Sequence, residues 1–281
     1  FFNFLISESD NAKELPPRFD LSKGINLGSV LPKSMSDKLY SPLPEHMLDE
    51  IKKNAKNFIP KPVTENDIIV FETTVGTFEA KFYNDAAPNH CLNFKKLANS
   101  GFYDKTLFHH SVPKFLIQGG DILTRNHDVD DDGFGGPGWV VNAEFSDLTH
   151  SRGTLSMIRS KNDPNSAGSQ FFISFSDNKK LDGKYTIIGD LIEGNHVLSR
   201  IEKIPSEYKQ ALLLCRIAIP DNENPDNWIE IDDPVSGKKL FSKVPLSDDK
   251  NSYSETLISM INNLYRPGVP IIVDSIRVYS K

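Results

Sequence analysis

Four short stretches constrain this chain more than anything else in it: FLIQGG at 115–120, GTLSMI at 153–158, SQFFISF at 169–175 and YTIIGDLI at 185–192. Each is a brief apolar run bounded by glycine or turn residues, rich in β-branched and aromatic side chains, which is the pattern of a short strand. The spaces between them are too short and too glycine-rich for the helical crossovers that a parallel sheet requires. A closed or nearly closed antiparallel structure accommodates many short strands without leaving exposed edges. Two further strands are predicted in IIVFETTVGTFEAKFY at 68–83, about a turn at Val75-Gly76, and VPIIVDSIRVYSK at 269–281 alternates like a strand that returns to the same barrel.

Helical signals frame these strands. Pro44 suits a first helical position, Leu48, Ile51, Ala55 and Phe58 share one face, and Pro60 ends the pattern. A second helix is predicted from Pro88 to Gly101, burying Cys91, Phe94, Leu97 and Ala98, and a short one over 195–201. Residues 1–62 are polar and punctuated by prolines, including Pro16, Pro17 and Pro32, and read as an N-terminal extension. Residues 63–281 form the main domain. Within it, about 206–267 changes character, with the turn-rich PDNENPDNW and DDPVSGKK and then Leu257, Ile261 and Leu264 on one helical face, so this stretch reads as an insertion before the last strand.

Composition removes several function classes. The net charge is −6 and no Lys/Arg block is long enough to track a phosphate backbone, which argues against nucleic acid as a partner. No run of 18 apolar residues exists, so no membrane span is expected. Cys91 and Cys215 stand alone, without a CxxC, and imply neither zinc nor a disulfide framework. The expectation is a soluble monomer, cytoplasmic, or exported if the apolar start FFNFLI is the remnant of a signal segment.

Taken together, FHHSVPKFLIQGGD at 108–121, GGPGWVVNAEF at 135–145, RGTLSMIRSKNDPNSAGSQFFISF at 152–175 and LDGKYTIIGDLIEGNHVLSRI at 181–201 resemble the cyclophilins, the peptidyl-prolyl cis-trans isomerases. The likeness runs from about Ile68 to Ile204 and resumes at the last strand. It implies a mostly β fold, an eight-stranded antiparallel barrel closed by two helices, and an activity on the X-Pro bonds of proline-containing peptides and proteins in the course of protein folding. It also implies a site. Phe115, Leu116, Phe172 and Leu181 correspond to the family's proline pocket, Gln118 and Gln170 to its glutamines, and Ile158, Arg159 and Ser160 to the pocket rim. His110 stands where the family has an arginine in FHR, Lys180 where many members have tryptophan, and Tyr185 where many have histidine. The resemblance therefore implies a retained hydrophobic pocket with an altered polar edge, and weak cyclosporin binding.

Rotation about an X-Pro bond needs no nucleophile, metal or cofactor, only relief of the amide resonance behind a barrier of about 18–20 kcal/mol. An apolar pocket that grips the ring and a donor to the prolyl nitrogen suffice. The resemblance makes His110, Gln118 and Phe115 the catalytic candidates, with Leu116, Ile158, Arg159, Ser160, Gln170, Phe172, Leu181 and Tyr185 binding substrate. Imidazole is shorter than guanidinium and largely neutral above a pKa near 6.5, so a slow isomerase is expected, with activity rising as pH falls through the imidazole pKa. Two other readings compete. One is a non-catalytic prolyl-peptide binding or chaperone module. The other is a calcium loop at 128–139, where Asp128, Asp130, Asp132 and Gly133 match the first half of an EF-hand but Trp139 replaces the bidentate glutamate. His109 is assigned a structural role.

Overall fold

The computed structural model describes residues 42–126 and 128–280. The early prolines and the apolar start lie outside the described residues. The described chain divides into two compact units, one of residues 42–203 and 270–280 and one of residues 204–269.

The first unit is the barrel. Its elements in chain order are α1 (Glu45–Asn57), β1 (Asp67–Thr73), β2 (Gly76–Phe82), α2 (Pro88–Asn99), β3 (Leu107–Phe108), β4 (His110–Val112), β5 (Leu116–Gly119), β6 (Thr154–Met157), β7 (Phe171–Ser174), β8 (Ile187–Glu193), α3 (Asn195–Glu202) and, resuming after the second unit, β12 (Ile271–Ser280). Among the described residues the antiparallel sheet has nine strands, in the order β3-β12-β1-β2-β8-β6-β7-β5-β4. The expectation was eight. The difference lies at one residue: the extended segment Leu107–Val112 breaks at His109, so that β3 pairs with β12 while β4 pairs with β5. The two outer strands of the sheet are thus consecutive pieces of one segment, and the barrel closes through the chain itself. His109 is buried at that break, in keeping with a structural role.

The predicted turn at Val75-Gly76 joins β1 to β2, with Thr73 opposite Gly76. The final strand pairs with the whole of β1, from Asp67 opposite Ser280 to Thr73 opposite Val273, and its first two residues pair with β3. The barrel interior is aromatic. Phe71 and Phe78 stack at 4.5 Å between centroids, and Phe171 meets Phe94 edge-on at 5.5 Å and Phe108 at 5.9 Å. Helix α2 contributes Cys91, Phe94, Leu97 and Ala98, all buried as its periodicity predicts. A buried ion pair between Lys95 of α2 and Asp67 of β1, with Ser280 also donating to Asp67, ties helix and strands together. Helix α1 begins one residue after Pro44 and buries only Leu48 and Ala55, with Ile51 and Phe58 half-buried.

The second unit comprises α4 (Glu207–Leu214), β9 (Cys215–Arg216), β10 (Trp228–Asp232), β11 (Lys239–Lys243) and α5 (Lys250–Asn262). Its three strands run in the order β10-β11-β9. It has a core of its own, in which Tyr208, Ala211, Ile229, Ile231, Leu240, Leu257 and Ile261 are buried together, with Leu264 packed against them. Helix α4 has no counterpart in the sequence reading, because eight residues that end in three leucines show little amphipathic contrast. Its start is legible in hindsight, since the Ser206 hydroxyl caps it by accepting from the Lys209 N–H. The unit's ends meet: Gly268 N–H donates to Pro205 O at 2.8 Å and Glu207 N–H to Arg266 O at 2.9 Å.

Candidate active site

Strand register builds the site. His110 on β4 lies opposite Gln118 on β5, Gln118 opposite Phe172 on β7, and Phe172 opposite Ser156 on β6. Directly opposed residues of a sheet share a face, so these four side chains form one row across four strands. Leu116, two residues before Gln118, belongs to the same face. The alternate set, Ile117, Ile173 and Leu155, is also in mutual register and shares its face with Phe171, which packs into the aromatic interior. The row is therefore on the outer face of the barrel wall.

Loops complete it. Phe115 precedes β5 and is fixed by a hydrogen bond from the Phe175 N–H to its carbonyl at 2.8 Å. Leu181 ends the 3-10 turn Lys179–Leu181, and the Tyr185 ring meets Phe172 edge-on at 5.5 Å. His110, Phe115, Leu116, Gln118, Ile158, Gln170, Phe172, Leu181 and Tyr185 are all buried. Arg159 and Ser160 are half-buried, and Lys180 is exposed. The Arg159 guanidinium lies 5.0 Å from the Tyr185 ring centroid and donates to Lys184 O, Ser160 O and Lys161 O, which holds it at the rim. Beside Ile158 and Gln170 opens a cleft of about 570 Å³, walled by Gly133–Trp139 and by Arg159 and Ser160.

A polar network orients the glutamines. Gln170 Nε2 donates to Gly133 O at 2.9 Å and Gly135 O at 2.8 Å, so its amide nitrogen must face those carbonyls and its oxygen must point the other way. That oxygen accepts from Gln118 Nε2 at 2.7 Å. Gln118 Oε1 is buried and has no hydrogen-bond partner among the described residues. Asp121 gathers the loop by accepting from the N–H groups of Leu123, Gly133 and Gly135. Burial pushes the Asp121 carboxyl up while those N–H groups oppose the shift. Position 135 must be glycine, since a Cβ there would meet the Asp121 carboxylate at 1.9 Å.

Burial, with like charge on His109 as a smaller cause, pulls the His110 pKa down to about 3. This lowering runs against the expected pH dependence. A side chain on a strand between neighbours on the same face is desolvated, and desolvation disfavours the charged imidazole. Burial therefore favours the neutral imidazole at His110.

The family model for cyclophilin type peptidyl-prolyl cis-trans isomerase/CLD matches residues 68–219, more than half of the chain. The chain belongs to the cyclophilin family. Peptidyl-prolyl cis-trans isomerase-like 1 of Neurospora crassa is 38% identical over 145 residues, covering 50% of this chain and 83% of that protein. A peptidyl-prolyl cis-trans isomerase of Acinetobacter baylyi is 35% identical over 146 residues, covering 50% of this chain and 74% of that protein. A Cryptosporidium parvum cyclophilin type peptidyl-prolyl cis-trans isomerase, solved in the presence of the dipeptide Ala-Pro, superposes with a TM-score of 0.52 at 26% identity over 76% of this chain and 99% of its own. The enzyme class is thus peptidyl-prolyl cis-trans isomerase.

Three residues that sequence reasoning did not single out support the cyclophilin pocket from behind. His150 Nδ1 bonds Asp182 Oδ1 at 2.8 Å, its backbone N–H donates to the same oxygen at 2.7 Å, and its Nε2 meets Ser156 Oγ at 3.1 Å. The His150 ring stacks on Phe172 at 5.7 Å with planes 12° apart. Asp182 directly follows Leu181, so one imidazole fixes both the pocket floor and the turn that carries the pocket wall. The only sequence signal for this arrangement is the polar identity of residues at 150, 156 and 182, far apart along the chain.

The described residues give the calcium reading no support. No helices flank residues 128–139 in the EF-hand manner. Asp128 and its neighbours instead close local turns, with Asp128 Oδ1 accepting from the Asp130 N–H and Asn126 Nδ2 donating to Asp131. Among the described residues no group of three or more His, Cys, Asp or Glu is placed to hold a metal. No helix among them is long and apolar enough to cross a membrane.

Proposed function

We propose that the chain rotates X-Pro bonds on the outer row of the barrel, with the prolyl ring against Phe115, Leu116, Phe172 and Leu181, and the flanking chain along the cleft beside Ile158, Arg159, Ser160, Gln170 and Tyr185. Gln118 holds the peptide backbone through its open oxygen and its second N–H. His110, neutral, supplies one N–H toward the prolyl nitrogen where the family's arginine supplies a charged fork. The observation that carries this reading is the register placing His110, Gln118 and Phe172 side by side. The Ala-Pro dipeptide present with the Cryptosporidium parvum relative supports a prolyl peptide as the ligand.

A neutral donor is roughly half as strong as a charge-assisted one, so the rate falls below that of a relative with arginine. Exchange NMR on an X-Pro peptide tests this: cis and trans resonances broaden on adding the protein, and His110→Arg raises kcat/KM by about tenfold or more, within the range that one such donor commands. An unchanged rate in His110→Arg sinks the assigned role of that position. The burial and neutrality of His110 favour a second reading, a prolyl-peptide binding or chaperone module without turnover. It predicts chemical shift changes without exchange between the isomers.

A further inference from the structure

The N-terminal arm joins the barrel on the loop that also walls the cleft. The Leu43 N–H donates to Arg125 O at 2.7 Å, and Arg125 ends the 3-10 turn Leu123–Arg125. Two residues before that turn, the Asp121 carboxylate accepts from the Gly133 and Gly135 N–H groups of the cleft wall. The carbonyls of the same two glycines accept from Gln170. Leu43 is therefore a few direct contacts from the site, a path on the order of 20 Å when consecutive Cα atoms lie about 3.8 Å apart.

The sequence before Leu43 carries Leu15-Pro16-Pro17, Leu31-Pro32 and Ser41-Pro42. Pro42 adjoins the anchored residue and cannot travel that distance. Pro32 lies 11 residues before Leu43, and a chain of that length extends to roughly 36 Å. Pro16 lies 27 residues before it. A ligand joined to its own receptor acts at an effective concentration of about millimolar, which falls roughly as the −3/2 power of the joining length, so Pro32 outweighs Pro16 by roughly fourfold.

The cleft wall separates the two prolines as well. Phe134 is 74% exposed and Val140 60% exposed, two large apolar side chains beside a cleft of about 570 Å³. Exposed apolar surface at a groove marks what the groove receives, and the cleft has the size of small-ligand sites. Val30 and Leu31 precede Pro32 and match that surface, whereas Glu14 stands two places before Pro16.

We propose that Leu31-Pro32 is a built-in ligand of this chain's own proline pocket, with the Pro32 ring among Phe115, Leu116, Phe172 and Leu181 and with Val30 and Leu31 against Phe134 and Val140. This rests on the proline pocket being the site of turnover. The chain then isomerises its own Leu31-Pro32 bond, and that bond competes with every X-Pro substrate that arrives from solution.

The test is exchange NMR on the peptide Ala-Ala-Pro-Ala with the full chain, with Pro32→Ala and with Pro16→Ala/Pro17→Ala. Removing the competing proline should raise kcat/KM about twofold or more in Pro32→Ala, while Pro16→Ala/Pro17→Ala leaves it in place. A synthetic peptide of residues 28–40 should inhibit Pro32→Ala at lower concentration than it inhibits the unsubstituted chain. Equal rates for Pro32→Ala and the unsubstituted chain overturn the proposal, and so does a rise confined to Pro16→Ala/Pro17→Ala. A rise in Pro32→Ala that vanishes as the protein is diluted overturns it too, because the occupant is then the arm of a second copy. Absence of exchange with all three proteins overturns instead the turnover reading, and the built-in ligand falls with it.

Discussion

His90 and His150 sit in different parts of the barrel unit and are held by the same device. Each gives its backbone N–H and its Nδ1 to a single carboxylate oxygen, His90 to Glu144 at 2.9 and 2.7 Å and His150 to Asp182 at 2.7 and 2.8 Å. What lies beyond the imidazole differs. His150 continues through Nε2 to Ser156 and through its ring to Phe172. His90 Nε2 is buried with no hydrogen-bond partner among the described residues, and its carboxylate looks back to a helix start. Glu144 also accepts from the Asn89 N–H, so one distant side chain satisfies the first free N–H groups of α2, whose own N-cap residue, Ala87, has no side chain able to do so. The lesson is that one bonding pattern stabilises a helix start in one place and braces the candidate site in another, depending on what the far nitrogen meets.

Acid attacks both clamps at once and gives the largest effect. Burial lowers the pKa of His90, His110 and His150. A base whose folded pKa is depressed leaves the unfolded state binding more protons, so stability is complete above about pH 6.5 and is lost as pH falls toward the folded values. Each displaced histidine contributes at most about 1.4 kcal/mol per pH unit. Urea midpoints between pH 7.5 and 5 should fall steeply, and His110→Gln should flatten the slope. A flat profile in the unsubstituted protein would refute the burial of these rings.

Glu144→Ala separates the two clamps. It strips the helix start and strands His90, so we expect a loss of about 3 kcal/mol in urea unfolding, with kcat/KM unchanged at temperatures where the protein stays folded. Asp182→Asn should do the reverse, costing about 1 kcal/mol of stability but lowering kcat/KM about tenfold, because Phe172 and Leu181 lose their common anchor. If both variants reduce turnover equally, the contrast between the clamps collapses. Ser156→Ala is the mildest change, about a twofold loss of kcat/KM, since the imidazole keeps its carboxylate and its stack.

The same contrast marks what sequence can disclose. The residues His110, Gln118 and Phe172 were within reach because FHHSVPKFLIQGGD and SQFFISF resemble cyclophilin motifs; the register that sets them in one row was not, since spacing alone does not say which short strands pair. The break at His109 was not, since LFHHSV reads as one strand and only the demand of two partners, β12 and β5, divides it. The clamps were hidden for a related reason: His150 and Asp182 are 32 residues apart, and His90 and Glu144 are 54 apart, so no periodicity connects them. The neutral state of His110 likewise arises from burial, which an unperturbed pKa cannot convey.

The break at His109 also orders events in time. The barrel closes only when β12 lies between β1 and β3, and β12 leaves the ribosome after all of the second unit. Until then β1 lacks one neighbour and β3 lacks its partner, an exposure of edge that invites misassembly. Tethering by a loop of this length is entropically costly, by about (3/2)RT ln n. A second unit that folds first, with Pro205 and Gly268 already hydrogen-bonded, shortens that tether to a few residues.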